Sequence, residues 1–507
     1  MLKKRGAGVL LHISSLPSPY GIGVFDENAK HFADRIAEMG FTYWQVLPLC
    51  PTDDSGSPYC SPSAFAGNYM FIDPKQLKYM GLVTNDDVND NIFDGTPYTA
   101  QFEFAKEHRL KLLKKAFLGI DENLAKEIKE FELNNPWLTD YSLYMAIKEI
   151  ENEKPWWEWS DEHAHYYRCI EDIYSYEDKA AFWKFVQYIF YKQWNGIKKY
   201  ANQKGIAIIG DMPIYVAMDS VDVWSNLPMF LIDEKTLKTE KVAGVPPDYF
   251  SEDGQLWGNP IYDWKSMKKD SYGWWLMRIE QSLKTYDTVR IDHFRAFASY
   301  WEIPADSDTA KVGEWVDGPG MDLFCTVFEK FGNDVPIIAE DLGVFGEDVV
   351  RLLEDTHFPG MKVIQFGFDP NSDSSHLPHN ADKNSINYVG THDNNTLLGW
   401  LWEASEDERK FALDYCHFKG DNWGEGGYYS QSCRSIIEAV WQSASNLAII
   451  SLQDMCGFGS DARMNMPGVA EKNWRFRTTT ETIDNIDRDY FIHINSMYRR
   501  MYPAFEK

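Results

Sequence analysis

Eight short apolar segments recur along this chain, and they limit the possible folds more than any other feature. Helical patterns separate several of them, for example at residues 29–39, where apolar positions follow a helical period and Gly40 is suited to end the helix. The eight segments are residues 9–13, 43–49, 206–211, 288–292, 335–340, 362–366, 386–393 and 447–454. Buried strands that alternate with helices in this way predict an α/β fold, a (β/α)8 TIM barrel.

Five of the eight predicted strands finish in an acidic residue. These residues are Asp211, Asp292, Glu340, Asp393 and Asp454. In a (β/α)8 barrel the carboxyl ends of the strands carry the active site. An aspartate there can also cap the next helix, but that explanation does not suit Glu340, or Arg290 placed two residues before Asp292. The pattern therefore favours catalytic carboxylates at this face.

The long intervals between predicted strands are expected to be insertions within one catalytic domain that spans residues 1–507. Residues 50–178, after the second strand, have helical character and too many aromatic residues to be disordered. A second insertion, residues 212–285, follows the third strand. Residues 455–507 remain after the last strand, and a predicted terminal helix (481–501) occupies much of that length. No room is left for a C-terminal β-sandwich domain.

The charge balance restricts the partners of the chain. It has 77 acidic and 50 basic residues and a formal net charge of −27, and such a surface repels nucleic acid and anionic membranes. A neutral substrate suits it better. The 19 Trp, 28 Tyr and 30 Phe residues belong mostly to the core, but rings of this kind also line clefts that stack sugars.

Cysteine and histidine spacing indicates neither a disulfide framework nor a metal site. The seven cysteines are odd in number and form no C-x-x-C pair, which favours a reducing cytoplasm. The apolar run near the N-terminus is short and interrupted by His12, so no secretory signal is expected. His163-x-His165 and His376-x-x-His379 are interpreted as solvated surface histidines. We therefore expect no metal and no cofactor.

Two carboxylates from different strand ends can flank a glycosidic bond, and at about 5–5.5 Å apart they catalyse a retaining reaction. Asp292 is the expected nucleophile, because Arg290 shares its strand face and lowers its pKa. Glu340 follows apolar residues, which raise the pKa as a general acid requires. Asp393, beside His392, can stabilise positive charge. From Arg290 and Asp292 alone, a structural ion pair is an equally good interpretation.

Several motifs together resemble the 4-alpha-glucanotransferases of the amylomaltase type, within the broad alpha-amylase clan. They are GVLLHISSLPSPYGIG (8–23), SPY (57–59) with SAFAGN (63–68), GDMPIY (210–215), AGVPPDYF (243–250), GQLWGNP (254–260), VRIDHFR (289–295), IAEDLG (338–343), GTHDN (390–394) and ARMN (462–465). The resemblance runs along essentially the whole chain, and several of these motifs are absent from ordinary amylases.

The resemblance implies an enzyme that transfers a segment of an alpha-1,4-glucan to the 4-hydroxyl of an acceptor glucan or glucose, through a covalent glycosyl-enzyme. It implies that Asp292 is the nucleophile, Glu340 the acid/base and Asp393 the transition-state stabiliser. The residues expected to contact the glucan are Arg290, His392, Asp211, Tyr59, Asp248, Phe250, Gln255, Trp257 and Asn465. Residues 243–260 correspond to the loop that covers the cleft in this family.

That covering loop is rich in Gly and Pro, which predict an irregular backbone, and its aromatic residues are expected to exclude water and stack an acceptor ring. One segment departs from the family: some members have an aromatic residue before the SPY motif, linked to a second glucan site, where this chain has Asp53-Asp-Ser-Gly56. Two alternatives remain at this point, a hydrolase on the same barrel and a glycan-binding protein that has lost catalysis.

Overall fold

Three sheets are present in the computed structural model, which describes residues 4–165, 173–247, 252–343, 346–469 and 472–502. The strands are β1 (Gly6–Leu10), β2 (Tyr43–Gln45), β3 (Ala207–Met212), β4 (Ile232–Asp233), β5 (Lys238–Thr239), β6 (Lys241–Val245), β7 (Gln255–Pro260), β8 (Thr288–Ile291), β9 (Ser299–Pro304), β10 (Glu314–Asp317), β11 (Ile337–Ala339), β12 (Gly360–Val363), β13 (Ser385–Tyr388) and β14 (Leu447–Ser451).

Eight of these strands form a parallel barrel in the order β11-β8-β3-β2-β1-β14-β13-β12. The first strand pairs with the last, Gly6 opposite Leu447. The two outer strands of that order meet where the Ala339 N–H donates to the Pro359 carbonyl at 3.0 Å. The barrel strands are almost entirely buried, which explains their apolar composition, because both faces of a parallel sheet are covered. The predicted (β/α)8 barrel is confirmed.

Helices connect and surround the barrel strands. They are Glu27–Glu38, Pro74–Tyr79, Asn85–Asn89, Phe102–Phe117, Glu122–Asn134, Trp137–Ile150, Asp161–Ala164, Glu177–Gln203, Val221–Ser225, Trp264–Lys269, Gly273–Thr285, Met321–Phe331, Glu347–Thr356, Leu397–Glu403, Glu406–Tyr415, Gln431–Gln442, Leu452–Met455, Thr480–Asp484 and Arg488–Met497. In the first helix Asp26 caps the N-terminus by accepting from the Asn28 N–H. Gly40, at φ +82°, follows its end, because glycine adopts this left-handed conformation without steric cost.

Several predicted boundaries differ from the structure. β1 begins three residues before the predicted strand, and residues 13–15 form a 3-10 turn instead. β12 ends at Val363, where a 3-10 turn follows. The single terminal helix predicted for residues 481–501 is two helices, Thr480–Asp484 and Arg488–Met497. Among the described residues, no strand follows β14.

A second, antiparallel sheet lies between the third and fifth barrel strands in the sequence, in the order β10-β9-β6-β7. β6 and β7 pair with each other and contain half of the stretch expected to cover the cleft, residues 243–245 and 255–260. The prediction of an irregular backbone is therefore wrong for these two segments. The glycines of the stretch lie within or beside a β-hairpin: at Gly244, for example, an added Cβ would meet the Gln255 carbonyl at 2.3 Å.

Candidate active site

A buried arginine joins two carboxylates at the carboxyl ends of β3 and β8. Nη1 of Arg290 donates to both oxygens of Asp211, at 2.7 and 2.8 Å, and Nη2 lies 2.8 Å from Oδ1 of Asp292. Asp211 stands opposite Arg290 in the register of the two strands. The side chains of Asp211 and Arg290 are 0% and 3% exposed, whereas that of Asp292 is 27% exposed. Asp292 is therefore the member of the cluster that solvent or a ligand can reach.

The pKa of Asp292 does not follow the expectation from the sequence. Burial raises this pKa above its ordinary value, and the positive charge of Arg290 only opposes the rise. The expectation of a lowered pKa is wrong because desolvation of the carboxyl exceeds the attraction of a guanidinium that also neutralises Asp211. Although burial lowers the pKa of Arg290, its carboxylate neighbours raise it well above the ordinary value, so Arg290 remains charged.

Glu340 directly follows β11 and is only 8% exposed. The backbone N–H of His293 donates to its Oε2 at 2.6 Å, and the N–H of Leu342 donates to its Oε1 at 2.7 Å. Burial, and next the negative charge of Asp292, raise the pKa of Glu340, and the rise is larger than that of Asp292. Of these two neighbouring carboxyls, Glu340 thus keeps its proton to the higher pH.

Asp393 lies in the loop after β13, between two polar partners. Nδ2 of Asn465 donates to its Oδ1 at 2.6 Å, and Nε2 of His392 lies 3.3 Å from its Oδ2. Nη2 of Arg463 donates to the Asp393 carbonyl at 2.7 Å. The Asp393 side chain is 42% exposed, more than that of Asp292. Both ends of this carboxylate are therefore held while it stays open to the cleft.

Tyr59 connects the arginine cluster to the loop that carries Asp393. Its hydroxyl donates to Oδ2 of Asp211 at 2.7 Å. Its ring stacks on the imidazole of His392, with ring centres 5.2 Å apart and planes 14° apart. The predicted site residues that these contacts join into one network are Tyr59, Asp211, Arg290, Asp292, His392, Asp393 and Asn465.

Strand β7 brings part of the covering stretch to the same site. Nε1 of Trp257 donates to Oε1 of Gln255 at 3.1 Å, and the Trp257 ring meets the His293 imidazole edge to face, with centres 4.7 Å apart. Because His293 also donates to Glu340, this strand is one contact away from a buried carboxyl. Asp248 and Phe250, also predicted to bind substrate, lie outside the described residues.

Asp292 and Glu340 lie in different environments. Asp292 is paired with the guanidinium of Arg290 and is partly exposed, whereas Glu340 is buried and its pKa is raised more strongly. Two carboxyl groups with separated pKa values can divide general-acid and nucleophilic roles, and such a pair is suited to displacement at a glycosidic bond.

Comparison with known proteins identifies the family. Residues 11–482 match the family model described as 4-alpha-glucanotransferase. The chain belongs to the 4-alpha-glucanotransferase family. A 4-alpha-glucanotransferase of Clostridium butyricum is 42% identical over 502 residues, covering 97% of this chain and 100% of the relative. Another, from Streptococcus pneumoniae serotype 4, is 44% identical over 511 residues, covering 99% and 98%.

Solved structures of related proteins agree with this assignment. The amylomaltase from Streptococcus agalactiae in complex with acarbose matches with a TM-score of 0.93 and 39% identity, covering 98% of this chain and 100% of that one. The amylomaltase from Corynebacterium glutamicum matches with a TM-score of 0.78 at 18% identity, covering 99% and 76%, which supports the fold alone.

As a member of the 4-alpha-glucanotransferase family, the chain is an enzyme that transfers segments of alpha-1,4-glucan, with the retaining chemistry general to that family. The predicted activity is confirmed. The hydrolase and the non-catalytic glycan-binding protein, which the sequence left as alternatives, are set aside.

Of the four histidines interpreted as solvated surface residues, His163 is buried, and His165 and His376 are only partly exposed. His163 is buried, with Nδ1 2.5 Å from Glu151 and Nε2 2.7 Å from the Tyr176 hydroxyl. His376 accepts the Val363 N–H on Nδ1 at 3.2 Å, and burial lowers its pKa to about 4.

Within the described residues, no three His, Cys, Asp or Glu side chains are grouped to hold a metal ion. No helix in the described ranges is long and apolar enough to cross a membrane.

Sequence reasoning missed two residues of this 4-alpha-glucanotransferase site. Arg463 belongs to the quoted ARMN motif, but its bond to the Asp393 carbonyl was not anticipated. Trp474 packs against both Tyr59 and His392, with ring centres 5.6 and 5.9 Å away. No spacing rule reveals such a contact, because the three rings come from distant parts of the chain.

Proposed function

We propose that this site disproportionates maltodextrins by double displacement, with Asp292 as nucleophile, Glu340 as acid/base and Asp393 as transition-state stabiliser. The observation that carries the proposal is the contrast between the two neighbouring carboxyls: Asp292 is paired with Arg290, whereas Glu340 is buried with the more strongly raised pKa. The donor and the acceptor are alpha-1,4-glucans, and the whole chain acts as one catalytic unit. The cysteine pattern favours the cytoplasm as its location.

In the first displacement, an Asp292 oxygen forms a bond to C1 of the donor sugar while the bond from C1 to the bridging O4 breaks. Glu340 gives its proton to that O4, and the leaving glucan departs with a free 4-hydroxyl. A raised pKa suits Glu340 to this step, because it starts protonated near neutral pH. The product is a covalent glycosyl-enzyme and an ionised Glu340.

In the second displacement, the 4-hydroxyl of an acceptor attacks the same C1. Glu340 now accepts the hydroxyl proton, the new C1–O4 bond forms, and the bond to Asp292 breaks. Two inversions at one carbon give net retention. The backbone N–H groups of His293 and Leu342 donate to the Glu340 carboxylate. They stabilise its ionised form between the two steps.

The remaining polar network orients the donor sugar. Asp393, with His392 and Asn465 on its two oxygens, places negative charge where positive charge develops on the sugar ring. Tyr59 offers a ring face to the sugar, and its hydroxyl is fixed by Asp211. Arg290 contacts Asp211 and Asp292 together, and its positive charge opposes the rise in the pKa of Asp292, which favours the ionised nucleophile.

The β6–β7 hairpin favours the acceptor sugar over water. Trp257 and Gln255 stand beside His293, and Asp248 and Phe250 belong to the same stretch. Aromatic side chains over the glycosyl-enzyme exclude bulk water and stack an acceptor ring. This partition decides whether the glycosyl-enzyme is transferred or hydrolysed.

Incubation with pure maltotriose tests the proposal. Disproportionation yields glucose and a ladder of longer maltodextrins, because each transfer conserves the number of glycosidic bonds. Reducing ends, measured in the same samples, should stay nearly constant. A rise of reducing ends in step with the loss of maltotriose would show hydrolysis instead. Asp292→Asn, treated identically, controls for contaminating activities.

A further inference from the structure

Trp474 completes a cluster of three rings at the wall of the site. Tyr59 and His392 stack at 5.2 Å and 14°, and Trp474 lies 5.6 Å from Tyr59 and 5.9 Å from His392, tilted by 39° and 38°. Trp474 itself is only 7% exposed. Each of the other two rings makes one polar contact with a carboxylate, Tyr59 with Asp211 and His392 with Asp393. Trp474 therefore packs against two residues that contact different carboxylates, Asp211 and Asp393.

The backbone at Trp474 adopts a conformation that is unfavourable for a bulky residue. Its φ is +67°, in the left-handed region that large side chains rarely occupy. The Trp474 N–H donates to the Met464 carbonyl at 2.7 Å, and the Asn473 side chain donates to the carbonyls of Met466 and Val469 at 3.1 and 2.7 Å. Such conformations persist where surrounding bonds fix them, and they are frequent at functional sites.

These bonds tie the indole to the segment that also holds Asp393. Arg463 and Asn465, which contact Asp393, are the immediate neighbours of Met464, the residue that accepts the Trp474 N–H. One stretch of chain therefore fixes the carboxylate directly and the two aromatic residues through the indole. A purely structural tryptophan would need bulk and apolarity, but not this shared anchor.

We propose that Trp474 is a positioning residue for glycosyl transfer: its flat indole keeps Tyr59 and His392 parallel, with the Tyr59 hydroxyl on Asp211 and His392 Nε2 on Asp393. The inference rests on the roles proposed above for Tyr59 and His392. The plane of each ring determines the direction of its single polar contact, so a tilt of the stack misplaces both. Binding of the more distant sugars does not depend on this stack.

Two substitutions of Trp474 in the full-length enzyme separate flatness from bulk. Trp474→Phe keeps a flat ring, whereas Trp474→Leu keeps an apolar side chain without one, and both meet the same positive φ. With maltotriose, Trp474→Leu should lower kcat by about 100-fold, the size of loss that a misplacement of about 1 Å causes, with a much smaller change in KM. Trp474→Phe should recover most of kcat. Equal kcat values for the two variants would overturn the proposal.

A double-mutant cycle tests whether Trp474 acts through Tyr59. If it does, the factor by which Trp474→Leu lowers kcat should be at least about threefold smaller in the Tyr59→Ala background than in the parent. Equal costs in both backgrounds overturn the positioning role while leaving the function of Tyr59 intact. If Tyr59→Ala alone leaves kcat unchanged, the proposed role of Tyr59 fails, and the positioning role fails with it.

The control for these measurements is Trp402→Ala, a change at a tryptophan that is 49% exposed and has no contact with the three rings. Its kcat should equal that of the parent. Thermal unfolding of each variant separates a change in the site from a loss of fold. If Trp474→Leu does not fold, Trp474→Met, which is apolar and also lacks a flat ring, replaces it in the same cycle with Tyr59→Ala. Equal costs of Trp474→Met in both Tyr59 backgrounds overturn the proposal.

Discussion

The backbone N–H of His293 donates to Oε2 of Glu340 at 2.6 Å, and His293 is the residue immediately after Asp292. One peptide unit therefore links the proposed nucleophile to the proposed acid. His293 has φ +48°, which is uncommon outside glycine. Its imidazole packs edge to face with the Trp257 ring, with ring centres 4.7 Å apart. Displacement of this peptide would change both the distance between the Asp292 and Glu340 carboxyls and the packing of the β6–β7 hairpin against His293.

Replacement of the proposed nucleophile should stop turnover without loss of the fold. Asp292→Asn removes the attacking oxygen charge but keeps the shape, so kcat with maltotriose should fall by about 10⁴-fold or more. Maltodextrin affinity, measured by calorimetry, should remain within a few-fold of the parent. Asp489→Asn, at a 92% exposed side chain, is the matched control. Turnover of Asp292→Asn within tenfold of the parent would contradict the assignment.

Glu340→Gln should discriminate between donors by leaving group. A donor with an acidic leaving group needs little protonation, so its glycosylation rate should fall least, whereas the rate with maltotriose should fall by about 10²–10⁴-fold. Rates of donor cleavage for a graded series of aryl glycosides provide the measurement. Equal losses across the series would show that Glu340 is not the acid.

The pH dependence of kcat/KM should be bell-shaped, and the apparent pKa values of both limbs should lie above those of ordinary carboxyls. Activity requires ionised Asp292, so it is lost as the pH falls through a pKa that burial has raised. It also requires protonated Glu340, so it is lost as the pH rises through a pKa raised further by burial and by Asp292. With an activated donor, Glu340→Gln should lose the alkaline limb only. An unchanged alkaline limb would assign it to another group.

The hairpin should control the fate of the glycosyl-enzyme more than its formation. Trp257→Ala opens the space beside His293, so water should compete better, and the ratio of longer maltodextrins to hydrolysis products should fall by about tenfold. Donor cleavage should change less. Leu256→Ala is the matched control, since Leu256 is the preceding residue of the strand and is 40% exposed. If both products fall by one factor in Trp257→Ala, the hairpin does not control partitioning.

Removal of the bridging guanidinium should destabilise the protein as well as inactivate it. Arg290→Met leaves the Asp211 carboxylate, 0% exposed, without its cation, which should cost about 3–5 kcal/mol in the free energy of unfolding. Urea denaturation followed by tryptophan fluorescence measures this loss. The double variant Arg290→Met/Asp211→Asn should recover part of it. A double variant less stable than Arg290→Met alone would argue against the buried charge as the cause.

Local pattern was sufficient to predict the barrel. The family resemblance, and not local pattern, pointed to residues such as Tyr59 and Asn465, which the structure places in contact with Asp211 and Asp393. Apolar runs identified all eight strands, and the two-residue spacing of Arg290 and Asp292 placed both side chains on one face. The partner of Arg290 across the sheet was not predictable, because the register that sets Asp211 opposite it depends on tertiary structure. Whether the pKa of Asp292 is raised or lowered depends on burial, which cannot be deduced from the local sequence. The β6–β7 hairpin was concealed by its glycines and prolines.

The pairing of β1 with β14 has a consequence for synthesis of the chain. Gly6 of β1 pairs with Leu447 of β14, so one edge of β1 stays unpaired until nearly the whole chain has been made. At about 5–20 residues per second, that wait is roughly 20 to 90 s. During this time the apolar residues of β1 can pair with other chains. Aggregation during expression is therefore expected to depend on how β1 is shielded, and slower translation would prolong the exposure.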